Sequence, residues 1–110
     1  MKNFNLNAMV KGWFIGNFTP AVVRDDRFEV AVKYYQAGDK ESAHHHKVAY
    51  EITCVAEGKV RMNGKVFVGG DIIYLEPNEV SDFEVLEKTI TVVVKAPSVA
   101  GDKYLEGNND

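Results

Sequence analysis

Val60-Arg61-Met62-Asn63-Gly64-Lys65-Val66-Phe67-Val68-Gly69-Gly70-Asp71-Ile72-Ile73-Tyr74-Leu75 is the stretch that decides the fold. Two β-branched and aromatic runs flank Asn63-Gly64. Asn-Gly tolerates the two positive φ angles of a type I′ turn, so residues 60–68 read as a β-hairpin. Gly69-Gly70-Asp71 turns the chain into the next strand, Ile72-Ile73-Tyr74-Leu75, which Pro77-Asn78 ends. Gly69-Gly70 is a turn and not a phosphate loop, because no helix follows it.

The same alternation of short strands and turns extends in both directions. Upstream lie Trp13-Phe14-Ile15 up to Phe18, ended by Thr19-Pro20. The polar turn Arg24-Asp25-Asp26-Arg27 follows, then Phe28 to Tyr34, in which Phe28, Val30, Val32 and Tyr34 share one face. Gly38 to Ser42 reads as a loop, and Val48 to Glu57 as a strand closed by Gly58. Downstream, Asp82 to Leu86 and Thr89 to Lys95 are the last strands. Apolar residues do not recur at helical spacing over a useful length. About eight or nine short antiparallel strands within ~90 residues is the pattern of an all-β closed barrel or double sheet.

One domain over residues 1–110 is expected, with covering strands in 1–27, a barrel core in 28–96 and a peripheral tail in 97–110. The last four residues, Gly107 to Asp110, are expected to fray. With 110 residues, 45% of them hydrophobic and 26% charged, the composition is globular. The formal charge of −3 and the scattered lysines and arginines argue against a nucleic-acid partner. Ile72 to Leu75 is the longest unbroken apolar run, far short of the ~20 residues of a membrane span. The start, Met1 to Asn7, has no apolar secretory core. A cytoplasmic location is the expectation from those features. Cys54 is the single cysteine, which excludes an internal disulfide and a multi-cysteine zinc site.

The chemistry concentrates in His44-His45-His46, the only histidines of the chain. In an extended segment His44 and His46 point to one face and His45 to the other. Two imidazoles so spaced can grip one metal ion. Glu51 can add a carboxylate, provided the chain turns or bulges after His46, since simple alternation puts Glu51 on the opposite parity. Two imidazoles and a carboxylate leave coordination positions open and suit Fe, Mn, Ni or Zn as divalent ions.

At these residues the chain resembles the cupins. Gly38, five residues, His44, one residue, His46, four residues, Glu51, six residues and Gly58 fit the first cupin signature at every defined position. The second signature is met in outline by Gly70 to Ser81. Glu76 stands in place of its proline, Asn78 in place of its glycine and Ser81 in place of its histidine. The resemblance covers residues ~28–96. It implies a double-stranded β-helix, a jelly-roll barrel, with His44, His46 and Glu51 as three of four ligands to a divalent metal ion. The fourth position falls to Ser81, to its neighbour Asp82, or to water or substrate.

The strand of Glu51 poses a conflict. Val48, Tyr50, Ile52, Cys54 and Ala56 form its more apolar face, so plain patterning buries that face and exposes Glu51. The metal reading demands the reverse, and leaves Tyr50-Ile52-Cys54 outward and in need of a cover. A second copy of the chain is the expected cover, hence a homodimer. The segment of Phe4, Leu6, Trp13 and Phe14 is the alternative. Cys54 itself reads as a buried small hydrophobe, and Trp13 and Phe14 as packing residues. One of Tyr34, Tyr50 and Tyr74 is expected to offer a hydroxyl to the cavity. Glu76, Glu79, Asp82 and Glu84 read as a solvated rim.

Two classes of function follow. One is metal-assisted chemistry on a small organic molecule held in the barrel, the ion serving as Lewis acid or activator of water or O2. In proteins that resemble this one, the reactions include isomerisation, epimerisation, decarboxylation and dioxygenation. The other is a binding module without turnover, for example for a sugar, or a structural dimer with a vestigial site.

Overall fold

The computed structural model describes residues 1–106, so the expected fraying of Gly107 to Asp110 lies outside the described residues. Among the described residues, nine strands follow a short 3-10 turn at Leu6–Ala8: β1 Trp13–Gly16, β2 Val23–Arg24, β3 Glu29–Tyr35, β4 Lys40–His45, β5 Tyr50–Met62, β6 Lys65–Val68, β7 Ile72–Leu75, β8 Ser81–Ala96 and β9 Tyr104–Leu105. The chain is all-β, as its punctuation implied. Most pairings are antiparallel, but β1 and β2 pair in parallel.

Two strands are much longer than expected. β5 runs through Gly58 to the hairpin, and β8 joins Asp82–Leu86 to Thr89–Lys95 without a break. They pair with each other from Tyr50↔Ala96 to Arg61↔Glu84, with register shifts between Val55 and Val60. At the shift Gly58 has φ +110°, and a Cβ there would lie 2.3 Å from Thr89 Oγ1 and 2.5 Å from the Lys88 carbonyl oxygen. A glycine that reads as a stop in sequence is here the bulge that lets one strand bend across the barrel. The Asn63-Gly64 hairpin forms as expected, with φ of 49° and 79°.

The other edge of β8 pairs with β4 near its start and with β3 towards its end. The expected loop at Gly38–Ser42 is therefore partly strand: β4 begins at Lys40, and Lys40↔Glu84 and Glu41↔Phe83 are paired. β7 and β6 continue the sheet beyond β5. One end of the interior is apolar, built from Val55, Val60, Met62, Phe83 and Val85, with Tyr35, Phe67, Ile73 and Leu75 against it. A fully buried valine contributes about 1.5–3 kcal/mol by leaving water. The other end is polar.

On β5 the inward face is the one that the metal reading demands. Thr53 and Val55 are 3% and 0% exposed, and Glu51 faces inward beside them. Ile52 and Cys54 pair across β7 with Tyr74 and Ile72 and across β8 with Val94 and Val92, on the outward face. Cys54 is half-buried there, not the core residue expected. Tyr34, Ile72 and Tyr74 are exposed on this side. The N-terminal segment does not cover it: Phe4, Leu6 and Met9 gather with Phe14 and Val22.

The tail is not peripheral. Ser98 and Asp102 are buried, and β9 pairs with β4 through His44↔Leu105 and His45↔Tyr104. The Ser98 hydroxyl donates to Glu29 Oε2 at 2.6 Å and accepts the Asn17 backbone N–H. Among the described residues no helix is long and apolar enough to cross a membrane.

Candidate metal centre

β4 ends at His45, and the irregular stretch from His46 to Ala49 carries the chain into β5. That stretch supplies the change of parity Glu51 needs. It is held from the tail: the Asp102 carboxylate accepts the backbone N–H of Lys47 at 2.9 Å, of Val48 at 3.1 Å and of Ala49 at 2.9 Å. His44, His46 and Glu51 then converge, each offering a ligand atom within 4.8 Å of the others'. The three residues singled out in sequence are brought together.

The hydrogen bonds around the imidazoles set their chemistry. His44 Nδ1 lies 2.9 Å from the Ser42 carbonyl oxygen, and His46 Nδ1 meets the carbonyl of Asp102. A carbonyl only accepts, so each Nδ1 carries a proton and each Nε2 of the neutral ring keeps a lone pair. Metal-binding histidines are oriented in this way, by a partner on the other ring nitrogen.

Glu51 is held as well. Its Oε1 lies 3.3 Å from His46 Nε2, and its Oε2 accepts the Thr53 hydroxyl at 3.1 Å. Contact with Glu51 raises the His46 pKa above its ordinary value, against the opposing effect of burial. For Glu51, burial pushes upward, but the His46 and Thr53 contacts prevail and lower the pKa. His46 Nε2 and Glu51 Oε1 face each other across the gap that a cation would take between imidazole and carboxylate. Two Nε2 lone pairs and one carboxylate fit a divalent transition-metal ion by donor type.

Ser81 and Asp82, the residues expected at the fourth position, are both engaged elsewhere. Ser81 is buried directly across the β4–β8 pairing from His44, and its hydroxyl donates to the Asp82 carbonyl at 2.7 Å. The Asp82 carboxylate accepts the Asn63 backbone N–H at 2.7 Å and is not among the converging ligand atoms. His45 points away, stacked on Tyr104, with Nδ1 2.8 Å from Glu106.

The surrounding cavity, about 260 Å³, also differs from expectation in its walls. Tyr34, Tyr50 and Tyr74 are 65%, 36% and 55% exposed, so none of the expected hydroxyls faces the cavity. Tyr35 does, donating to Glu41 Oε2 at 3.0 Å. Trp13 lines the cavity, and Lys33 Nζ and Lys95 Nζ lie 5.0 and 4.9 Å from its ring centroid. Lys95 also pairs with Glu29 at 2.8 Å. Lys33 and Tyr35 were concealed in sequence because their strand presents its more polar side, Glu29, Lys33 and Tyr35, to the interior. Asp102 has no local signal, since its partners lie more than fifty residues away.

Comparison with solved structures identifies the architecture. An uncharacterised conserved protein with a double-stranded β-helix domain from Klebsiella pneumoniae superposes with a TM-score of 0.71 at 22% identity, over 97% of this chain and 93% of that one. The DMSP lyase DddQ from Ruegeria pomeroyi gives a TM-score of 0.72 at 17% identity, over 89% of this chain and 51% of that one. An RmlC-like cupin from Shewanella frigidimarina gives 0.63 at 20% identity, over 70% and 71%. No family model matches the chain, and no curated protein matches it in sequence. The chain has the double-stranded β-helix fold of the cupins.

Proposed function

We propose that the chain is a metal-dependent protein acting on a small organic molecule, with His44, His46 and Glu51 holding one divalent ion, Fe, Mn, Ni or Zn. The observation that carries this reading is the convergence of ligand atoms of His44, His46 and Glu51 within 4.8 Å, each Nδ1 being tied to a carbonyl. The bound ion would supply Lewis acidity towards a substrate oxygen, or activate water or O2.

The chain's own residues define the rest of the site. Leu75, Met62 and Phe83 form an apolar floor beside the ligands. Tyr35 and Glu41 hold a proton between them on the wall, and burial together with Glu41 pushes the Tyr35 pKa well above its ordinary value. Tyr35 therefore stays protonated and serves as a hydrogen-bond donor rather than as a base. The cavity lies at or below the ~300–1,000 Å³ of drug-sized pockets, which favours a small ligand. That a lyase shares the fold supports an enzymatic role.

The test is elemental mass spectrometry on protein purified without a histidine tag or added metal, beside His44→Ala and Glu51→Ala. The expected result is near-stoichiometric Fe, Mn, Ni or Zn in the wild type and loss in both folded variants. Absence of metal in the wild type after dialysis against each ion would leave a binding or structural barrel.

We further propose that the outward face of β7, β5, β8 and β3 pairs with a second copy of the chain. Its support is the apolar row of Ile52, Cys54, Ile72, Tyr74, Val92 and Val94, which the N-terminal segment leaves open.

A further inference from the structure

Lys33 on β3 stands directly opposite Thr91 on β8. Both line the cavity that contains His44, His46 and Glu51. Thr91 is 1% exposed, and among the described residues its hydroxyl oxygen has no hydrogen-bond partner. Its neighbour on the same side of β8, Thr89, is equally buried and fully occupied: it donates to the Glu87 carbonyl at 2.7 Å and accepts the Lys59 N–H at 3.1 Å. Buried polar groups are almost always satisfied, so an exception on a cavity wall asks for a ligand.

Lys33 shows the matching deficit. Lys95 has Glu29 at 2.8 Å and Lys103 has Glu41 at 3.9 Å, whereas among the described residues Lys33 makes no ion pair. Its ammonium rests on the Trp13 ring. Burial depresses its pKa, Glu41 opposes this, and the positive charges of Lys11, Lys95 and Lys103 depress it further. This is the setting of a cation that lacks its counter-ion. Lys11, Lys95 and Lys103 also line the cavity, together with the carboxylates of Glu41, Glu51 and Asp82.

We propose that Lys33 and Thr91 form an anion subsite, and that the ligand of this barrel is a small organic acid whose carboxylate bridges the Lys33 ammonium and the Thr91 hydroxyl beside the Trp13 ring. A second oxygen of the acid then faces His44, His46 and Glu51, and that half of the inference rests on the metal-dependent reading above. One ammonium and one hydroxyl match the single charge and two oxygens of a carboxylate. A phosphate dianion calls for more donors, and a neutral polyol leaves the Lys33 charge uncompensated.

Trp13 is the only tryptophan of the chain, so its fluorescence reports the subsite directly. Malonate and its neutral counterpart 1,3-propanediol are titrated at constant ionic strength, with inorganic phosphate as a third probe and calorimetry as a second readout. Each titration is run in EDTA and again with Zn²⁺. The variants are Lys33→Met, Thr91→Val and, as a control, Lys40→Met on the exposed Glu84 pair. Circular dichroism verifies the fold of each.

Saturable malonate binding is expected, weakened about tenfold or more in Lys33→Met and several-fold in Thr91→Val. Lys40→Met is expected to match the wild type, and the diol to bind negligibly. Equal malonate affinity in Lys33→Met, equal affinity for the diol, or no saturation in either metal state overturns the subsite. Phosphate binding tighter than malonate with the same Lys33 dependence overturns the carboxylate assignment. Lys33-dependent binding in EDTA supports the subsite even where Zn²⁺ fails to bind. Zn²⁺ binding with malonate indifferent to Lys33 sinks this inference alone and leaves the metal reading standing.

Discussion

The carbonyl of Asp102 accepts the Nδ1–H of His46, while its carboxylate accepts the N–H groups of Lys47, Val48 and Ala49. One residue of the tail therefore orients a candidate ligand and also fixes the turn that brings Glu51 to it. Asp102→Ala keeps the carbonyl but strands the three donors. A loss of about 1–3 kcal/mol is expected, with metal affinity falling about 10–100-fold. Thermal melting and competitive metal titration check both. An unchanged affinity would mean that the turn holds itself.

Acid–base behaviour follows from the His46–Glu51 contact. His46 is raised above its ordinary pKa of 6.5 and Glu51 lowered below 4.5. A raised histidine adds stability below its unfolded pKa, and this is lost as pH rises through the folded one. A lowered glutamate adds stability above its unfolded pKa, lost as pH falls through the folded one. The metal-free protein is thus helped by this pair between about pH 4.5 and 6.5 and loses that help on either side. NMR titration of His46 in EDTA is expected to give a pKa above 6.5, moving downward in Glu51→Gln. A value at or below 6.5 in the wild type contradicts the contact.

Gly58 admits no side chain, because its φ is +110° and Thr89 and the Lys88 carbonyl fill the space. Gly58→Ala is expected to cost at least about 1–3 kcal/mol, read in urea denaturation. The control Gly64→Ala meets no neighbour within 4 Å and bears only its own positive φ. Equal costs at the two sites would remove the steric account of the bulge.

The outward sheet face gives a fourth expectation. Ile72 and Tyr74 are 67% and 55% exposed beside Ile52, Val92 and Val94. Stable interfaces bury about 800 Å² per partner. Sedimentation equilibrium is expected to give a dimer for the wild type and a monomer for the double variant Ile72→Lys/Tyr74→Glu. A monomeric wild type at micromolar concentration refutes the pairing.

The residues alone determined the strand grammar, the hairpin at Asn63-Gly64 and the grouping of His44, His46 and Glu51. These depend on φ preference and on spacing along the chain, which are local. Strand length was not legible, because a glycine such as Gly58 reads alike as a stop or as a bulge until its neighbour across the sheet is known. The inward face of β5 was ambiguous for a different reason. Hydrophobic patterning assumes an apolar interior, and here half of the interior is a polar cavity.

Tertiary structure alone decided the rest. It placed Tyr35 inside and Tyr34, Tyr50 and Tyr74 outside, set Lys33 opposite an unpartnered Thr91, and turned a tail expected to be peripheral into the support of His46. Each of these is a pairing between residues far apart in the chain. Register and chain closure create such pairings, and no local preference encodes them.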